Sequence, residues 1–239
     1  MPYLMGGYPD IDTSRASVLA AVEAGADLVE LGIPFSDPLA DGPVIHAAAT
    51  AALDAGVTLS EVLALCESVA GEVPVVLMVY ANPVLAHGAE HFVRRAAGAG
   101  AAGIIVPDLP HDEAGAVREA CTAQGVALVP LVAPTSSDHR VEEIARDAQG
   151  FVYAVSLTGT TGERAELPRE LERTVGRVKG ATELPVAVGF GVSTGEHARR
   201  VADVADGVIV GSRVVRAAGE GGAPAVHRLV GELAEALAA

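Results

Sequence analysis

Several marks of particular protein classes are scarce in this 239-residue chain. Tryptophan is absent and aromatic residues make up only 3%, so a platform for stacking nucleic-acid bases is not expected. The two cysteines, Cys66 and Cys121, are too few for a disulfide framework. Both fall in helix-like stretches and read as reduced thiols of a cytoplasmic protein. Lysine and arginine together number 16 against 31 acidic residues, a formal net charge of −15. That balance argues against nucleic acid and anionic membrane as partners, since both need a cationic face. It does not exclude an anionic small molecule, which backbone N–H groups at a helix start can hold without lysine. No stretch of about 18 residues is free of charge, so no transmembrane helix is expected. The opening Met1-Pro2-Tyr3-Leu4 has no signal-peptide anatomy.

What the chain does have is apolar bulk in a regular pattern. It is 50% hydrophobic, enough for one large core, and residues 1–239 are expected to form a single domain. Short β-branched runs fall near 3–6, 28–31, 75–80, 103–106, 127–132, 151–156, 185–188 and 207–210. Helix-like stretches fall near 13–24, 44–55 with 59–70, 89–98, 113–124, 138–147, 169–179, 194–202 and 223–238. Near-continuous apolar strands imply burial on both faces, hence a parallel sheet covered by helices. Strict alternation over this length favours an α/β fold of the closed (β/α)8 TIM-barrel type over an open doubly wound sheet. Thr58-Leu59-Ser60-Glu61 offers a capping box, and Ser193 or Thr194 a cap for the helix after strand seven.

In such barrels chemistry sits at the C-terminal ends of the strands. Here those ends read Gly6-Gly7, Glu30, Tyr80-Ala81-Asn82-Pro83, Pro107-Asp108, Ala133-Pro134-Thr135, Ser156-Leu157-Thr158-Gly159, Gly189-Phe190-Gly191 and Gly211-Ser212. Glycine turns after strands seven and eight stand where barrels hold a phosphate. Either turn alone is equally well a tight βα connection; two in adjacent positions point to a phosphorylated ligand. Glu30 interrupts an apolar run and shares a face with Leu28, opposite Val29 and Leu31. Aimed into the barrel mouth, it would be desolvated, its pKa raised, and suited to acid/base work; the plain alternative is a solvated rim position. Asp37 and Asp41 read locally as turn aspartates.

Two mechanisms lack their residues. Imine chemistry needs a lysine at a strand end, and the one lysine, Lys179, lies at a helix end. A metal aldolase needs clustered ligands; His87 and His91 are spaced i, i+4 but read as solvated helix residues, and the other histidines are scattered, so no metal site is expected. Acid/base catalysis without a cofactor on a phosphate ester remains.

The run Leu31-Gly32-Ile33-Pro34-Phe35-Ser36-Asp37-Pro38-Leu39-Ala40-Asp41-Gly42-Pro43, with Glu30 before it, resembles the signature of the tryptophan synthase alpha chain family. Similarity continues through Tyr80-Ala81-Asn82-Pro83, Pro107-Asp108-Leu109-Pro110, Tyr153 to Gly162, Gly189-Phe190-Gly191 and Gly211-Ser212, essentially the whole chain. The resemblance implies retro-aldol cleavage of indole-3-glycerol phosphate to indole and glyceraldehyde 3-phosphate. It implies Glu30 as the main acid/base and Asp41 as the group that takes or stabilises charge at the indole nitrogen. Tyr80, Asp108 and Tyr153 fall among the expected substrate contacts. Gly162, Phe190, Gly191, Gly211 and Ser212 match a phosphate cradle, and Thr161 matches a residue that closes over the site. Asp37 and Pro38 would belong to the interface with a beta chain carrying pyridoxal phosphate, in a two-plus-two complex. No cofactor is implied on this chain. Two features depart from the family pattern. Its helix before strand one is expected to be missing, because Met1 stands almost at strand one, and Met5-Gly6-Gly7-Tyr8 replaces the usual threonine or alanine before Gly-Asp. A second reading is a catalytically weak barrel subunit that only activates a beta-type partner; a third is another phosphate-binding barrel, such as an isomerase or indole-3-glycerol phosphate synthase.

Overall fold

The computed structural model describes residues 1–155, 170–189 and 191–238. Its strands are β1 (Tyr3–Met5), β2 (Val29–Gly32), β3 (Val75–Met78), β4 (Gly103–Ile105), β5 (Ala127–Leu128), β6 (Leu131–Val132), β7 (Val152–Val155), β8 (Val186–Gly189) and β9 (Gly207–Val208). All pair in parallel, in two runs ordered β1-β2-β3-β4-β5 and β6-β7-β8-β9. The expected fifth strand is thus two short ones. Pro130, between them, has no N–H to donate to a ladder. The broken strand still joins both neighbours, through Val129 N–H to Ile104 O (2.9 Å) and Tyr153 N–H to Pro130 O (3.0 Å). At the other seam Tyr3 N–H reaches Val210 O (2.9 Å) and Val210 N–H reaches Met1 O (3.0 Å). The sheet therefore closes on itself, and the open-sheet alternative falls.

Around the strands run α1 (Ile11–Glu23), α2 (Pro43–Asp54), α3 (Leu59–Val69), α4 (Ala81–His87), α5 (Ala89–Gly98), α6 (Gly115–Gln124), α7 (Asp138–Asp147), α8 (Glu170–Lys179), α9 (Gly195–Ala202) and α10 (Ser212–Ala238). Local chemistry sets several starts. Asp10 caps α1, Thr194 caps α9, and Thr58 with Glu61 closes a reciprocal capping box on α3. The short helix α4 was not expected, since Tyr80-Ala81-Asn82-Pro83 reads as the end of strand three. Proline is tolerated in a first helical turn, and the N–H of Ala81 is satisfied by the Asp108 carboxylate at 2.8 Å. The last helix begins earlier than expected, at Ser212, and breaks at Gly222 (φ 57°) just before Pro224.

Two layers of apolar packing follow from the strand period of two. Val29, Leu31, Val75 and Leu77 face the helices in the main core, while Val76, Ile105, Val129 and Ile209 fill the barrel interior. Leu28 packs against the interior layer, so Glu30, on the same face, also points inward. Among the described residues no single helix is long and apolar enough to cross a membrane.

Candidate active site

Glu30 occupies the middle of β2, in register with Tyr3 on β1 and Val76 on β3. Its exposure is 0%, and neither carboxyl oxygen has a hydrogen-bond partner among the described residues. A buried polar group left unpaired costs about 1–3 kcal/mol. Loss of hydration pushes its pKa up to about 8, so near pH 7 most of the population holds a proton it can donate.

Asp41 comes from the loop after β2, just before Gly42 caps α2 and Pro43 opens it. Its half-buried carboxyl is raised to about 6 by desolvation, against which a hydrogen bond from Tyr80 and the charge of His46 act. The Tyr80 hydroxyl also accepts the Ala40 N–H at 3.1 Å, and its ring stacks on Phe35 with centroids 5.4 Å apart. The end of β3 therefore holds the loop that carries Asp41. Two carboxyl groups with different environments, one dry and unpaired and one tied to a phenol, can take different proton roles.

Both carboxyls line one hollow with Tyr153, Gly191, Gly211 and Ser212. Tyr153 is buried on β7, its phenol lying against Gly189, where a Cβ would collide with it. Gly191 has φ 87°, a left-handed turn that favours glycine. Gly211 accepts the Val214 and Val215 N–H groups, and Gly211 and Ser212, at the start of α10, line the hollow. A helix start of this kind favours an anion. The free space is about 40 Å³, well below the roughly 300–1,000 Å³ of typical ligand pockets. A ring-sized ligand enters only as the lining side chains part.

A larger hollow, about 330 Å³, lies behind Pro107 and Leu131, which both hollows share. Its ionic groups are matched among themselves: Arg140 with Asp112 at 2.6 Å, and Arg118 and His111 with Asp147 at 3.4 and 3.3 Å. It is roomier than the smaller hollow, but size does not single it out, since two open surface hollows of about 680 and 630 Å³ exceed it. Chemistry decides: among the described residues the smaller hollow holds two acids raised by desolvation, Glu30 and Asp41, the first of them unpaired.

The sequence profile of the tryptophan synthase alpha chain family matches residues 1–236. The chain belongs to that family. The tryptophan synthase alpha chain of Synechococcus elongatus is 47% identical over 99% of this chain and 90% of the relative. That of Carboxydothermus hydrogenoformans is 49% identical over 89% and 80%. Among solved structures, Mycobacterium tuberculosis tryptophan synthase superposes with a TM-score of 0.94 at 43% identity, covering 99% of this chain and 91% of the other. A protein from Aquifex aeolicus gives 0.92 at 40%, with the same coverage.

The structure brings together six of the residues the family resemblance singled out: Glu30, Asp41, Tyr153, Gly191, Gly211 and Ser212. Tyr80 stands behind Asp41 rather than on the wall. Asp108 is exposed and is not among the residues lining the hollow; its carboxylate is engaged at the start of α4. Asp37 is exposed and Pro38 half-buried on the loop between β2 and α2. Thr161, Gly162 and Phe190 lie outside the described residues. Several wall residues were missed, Ile45, Met78, Leu131, Val192 and Ile209 among them; the polar one is Tyr3, 4% exposed and in register with Glu30. Its signal was the alternation of β1, too short at three residues to read. Among the described residues no three His, Cys, Asp or Glu side chains are grouped to hold a metal ion.

Proposed function

We propose that Glu30 and Asp41 carry the alpha reaction of tryptophan biosynthesis on this chain, the cleavage of indole-3-glycerol phosphate to indole and glyceraldehyde 3-phosphate. The observation that carries this reading is the fully buried carboxyl of Glu30, unpaired among the described residues and facing the same hollow as Asp41. Protonated Glu30 gives its proton to the indole carbon that bears the side chain. Asp41 stabilises the positive charge that then develops at the ring N–H. The Glu30 carboxylate so formed takes the proton of the adjacent side-chain hydroxyl. That oxygen becomes the aldehyde carbonyl, the carbon–carbon bond breaks, and its electrons restore the aromatic ring. One proton enters and one leaves, so Glu30 ends as it began. The phosphate is held by the backbone of Gly191, Gly211 and Ser212, with Gly162 and Phe190 assigned there by resemblance. Tyr153 contacts the substrate, and Thr161 closes over it.

A beta chain bearing pyridoxal phosphate is the partner in this reading, in a two-plus-two complex with the whole chain acting as one barrel domain in the cytoplasm. The support is a surface at the mouth side. Leu39, next to Asp37 and Pro38, is 80% exposed, and Leu85 of α4 is 60% exposed. Large apolar side chains so exposed fit the centre of a protein–protein contact.

The test is indole release from indole-3-glycerol phosphate by the chain alone and with a beta chain. Turnover that Glu30→Gln abolishes, with affinity for glycerol phosphate kept in calorimetry, supports the reading. An inactive wild-type chain in both settings would refute it.

A further inference from the structure

Glu30 is left with a problem that the cleavage scheme does not solve. When it gives up its proton it becomes a carboxylate in a dry cavity, with no hydrogen-bond donor on either oxygen among the described residues. An ionised carboxylate under these conditions is strongly destabilised unless a donor reaches it.

The nearest strand presents one. Tyr3 is in direct register with Glu30 across β1 and β2, and both side chains line the same hollow. The Tyr3 phenol lies against Gly32, the next inward position of β2, where a Cβ would run into its hydroxyl. Glycine at that position makes room for the phenol above Glu30's own strand. We propose that Tyr3 positions Glu30 for the reaction: its hydroxyl donates the hydrogen bond that the Glu30 carboxylate takes up when it ionises. No proton passes from Tyr3. Burial first, then the charges of Asp41 and Glu30, keep its phenol well above the ordinary value, so it remains a donor throughout. This inference deepens, and rests on, the reading of Glu30 as the acid/base of the cleavage.

Other groups also face this pair. Tyr153 of β7 and the Met1 amino group act on Glu30. Asp41 and Tyr80 act on Tyr3, and His46 acts on Asp41. Tyr3 differs from them in standing in register with Glu30 while also facing Asp41. Tyr153 stands on β7 instead, with Ala187 of β8 in its register.

Tyr3→Phe removes the oxygen and keeps the ring over Gly32. In the full chain, kcat for indole release should fall about tenfold or more, as for loss of a hydrogen bond to a charged group, while KM stays within about twofold. Losing a donor to the ionised form moves the Glu30 limb of the pH–rate profile to higher pH, which loss of packing alone would not do. A second readout needs no turnover. The Glu30 carboxyl infrared band, identified by its loss in Glu30→Gln, should titrate at higher pH in Tyr3→Phe than in wild type. A wild-type kcat with an unmoved band would overturn the proposal. A moved band in a chain that releases no indole would leave the hydrogen bond standing and overturn the cleavage reading instead.

Discussion

The hydroxyl of Tyr80 is hydrogen-bonded to the carboxylate of Asp41 while accepting the Ala40 N–H at 3.1 Å. One phenol thus sets both the position of the loop and the charge of its acid. The hydrogen bond stabilises the ionised form of Asp41, holding down a pKa that desolvation drives to about 6. Tyr80→Phe should therefore raise it further, leaving less of the anion near neutral pH. Indole release should fall, and the acidic limb of its pH profile should move to higher pH. Asp41→Asn removes the charge altogether and should slow turnover by about 10²–10⁴-fold. A Tyr80→Phe profile that overlays the wild type would separate Tyr80 from the function of Asp41.

Glu30 ties stability to pH in the unusual direction. Its folded pKa, about 8, lies above the ordinary 4.5. Between those values the native state holds a proton that the unfolded chain has released. Stability from this group is therefore full below about pH 4.5 and is lost as pH rises towards 8. Glu30→Gln has no such proton. Its stability relative to wild type should improve steadily from about pH 5 to 8, by an amount on the order of a few kcal/mol, and stay flat below that range. Urea unfolding of both proteins at several pH values measures the difference; a pH-independent gap would mean that Glu30 ionises freely in the folded chain.

Glu30 was legible in the sequence as a charge in an apolar run of period two, which has only two faces to choose from; that its face, shared with Leu28, is the inner one is seen only in the packing of Leu28 against the barrel interior. Its loop partner was less so: Asp41 looks locally like any turn aspartate, and its tie to Tyr80 spans far-separated residues. The break at Pro130 was visible as a proline but was absorbed into a continuous apolar run. Helix α4 stayed hidden because the group at its start, Asp108, comes from another loop 27 residues on. Tyr3 stayed hidden because three residues are too few to show alternation. Local chemistry was readable, then, while contacts between distant segments were not.

The Tyr153 phenol needs a bare Cα beneath it. A methyl group at position 189 would fall on its hydroxyl, and the buried ring can yield only towards the hollow it lines. Gly189→Ala should cost about 1–3 kcal/mol, as overpacking does, and should raise KM for indole-3-glycerol phosphate as Tyr153 shifts into the hollow. Thermal unfolding together with steady-state kinetics checks both parts. Unchanged stability and KM would show that the β7–β8 wall can relax around the added carbon.

Asp108 separates a direct contact from an indirect one. Family resemblance places it with the substrate-binding residues, yet its carboxylate accepts the Ala81 N–H at 2.8 Å, and the cap position itself, Tyr80, supplies no side-chain bond. An acid at a helix start satisfies an orphan donor and meets the positive end of the helix dipole. Asp108→Ala should then destabilise α4 by about 1 kcal/mol and loosen the segment that begins beside Tyr80 and carries the exposed Leu85. In the chain alone, KM should change little, because no wall of the hollow is lost. With a beta chain present, the apparent affinity between the two should weaken, since α4 presents Leu85 less firmly. Asp108→Asn keeps an acceptor oxygen and should recover most of both properties. If instead Asp108→Ala raised KM sharply in the isolated chain with stability intact, Asp108 would belong with the ligand and not with the helix.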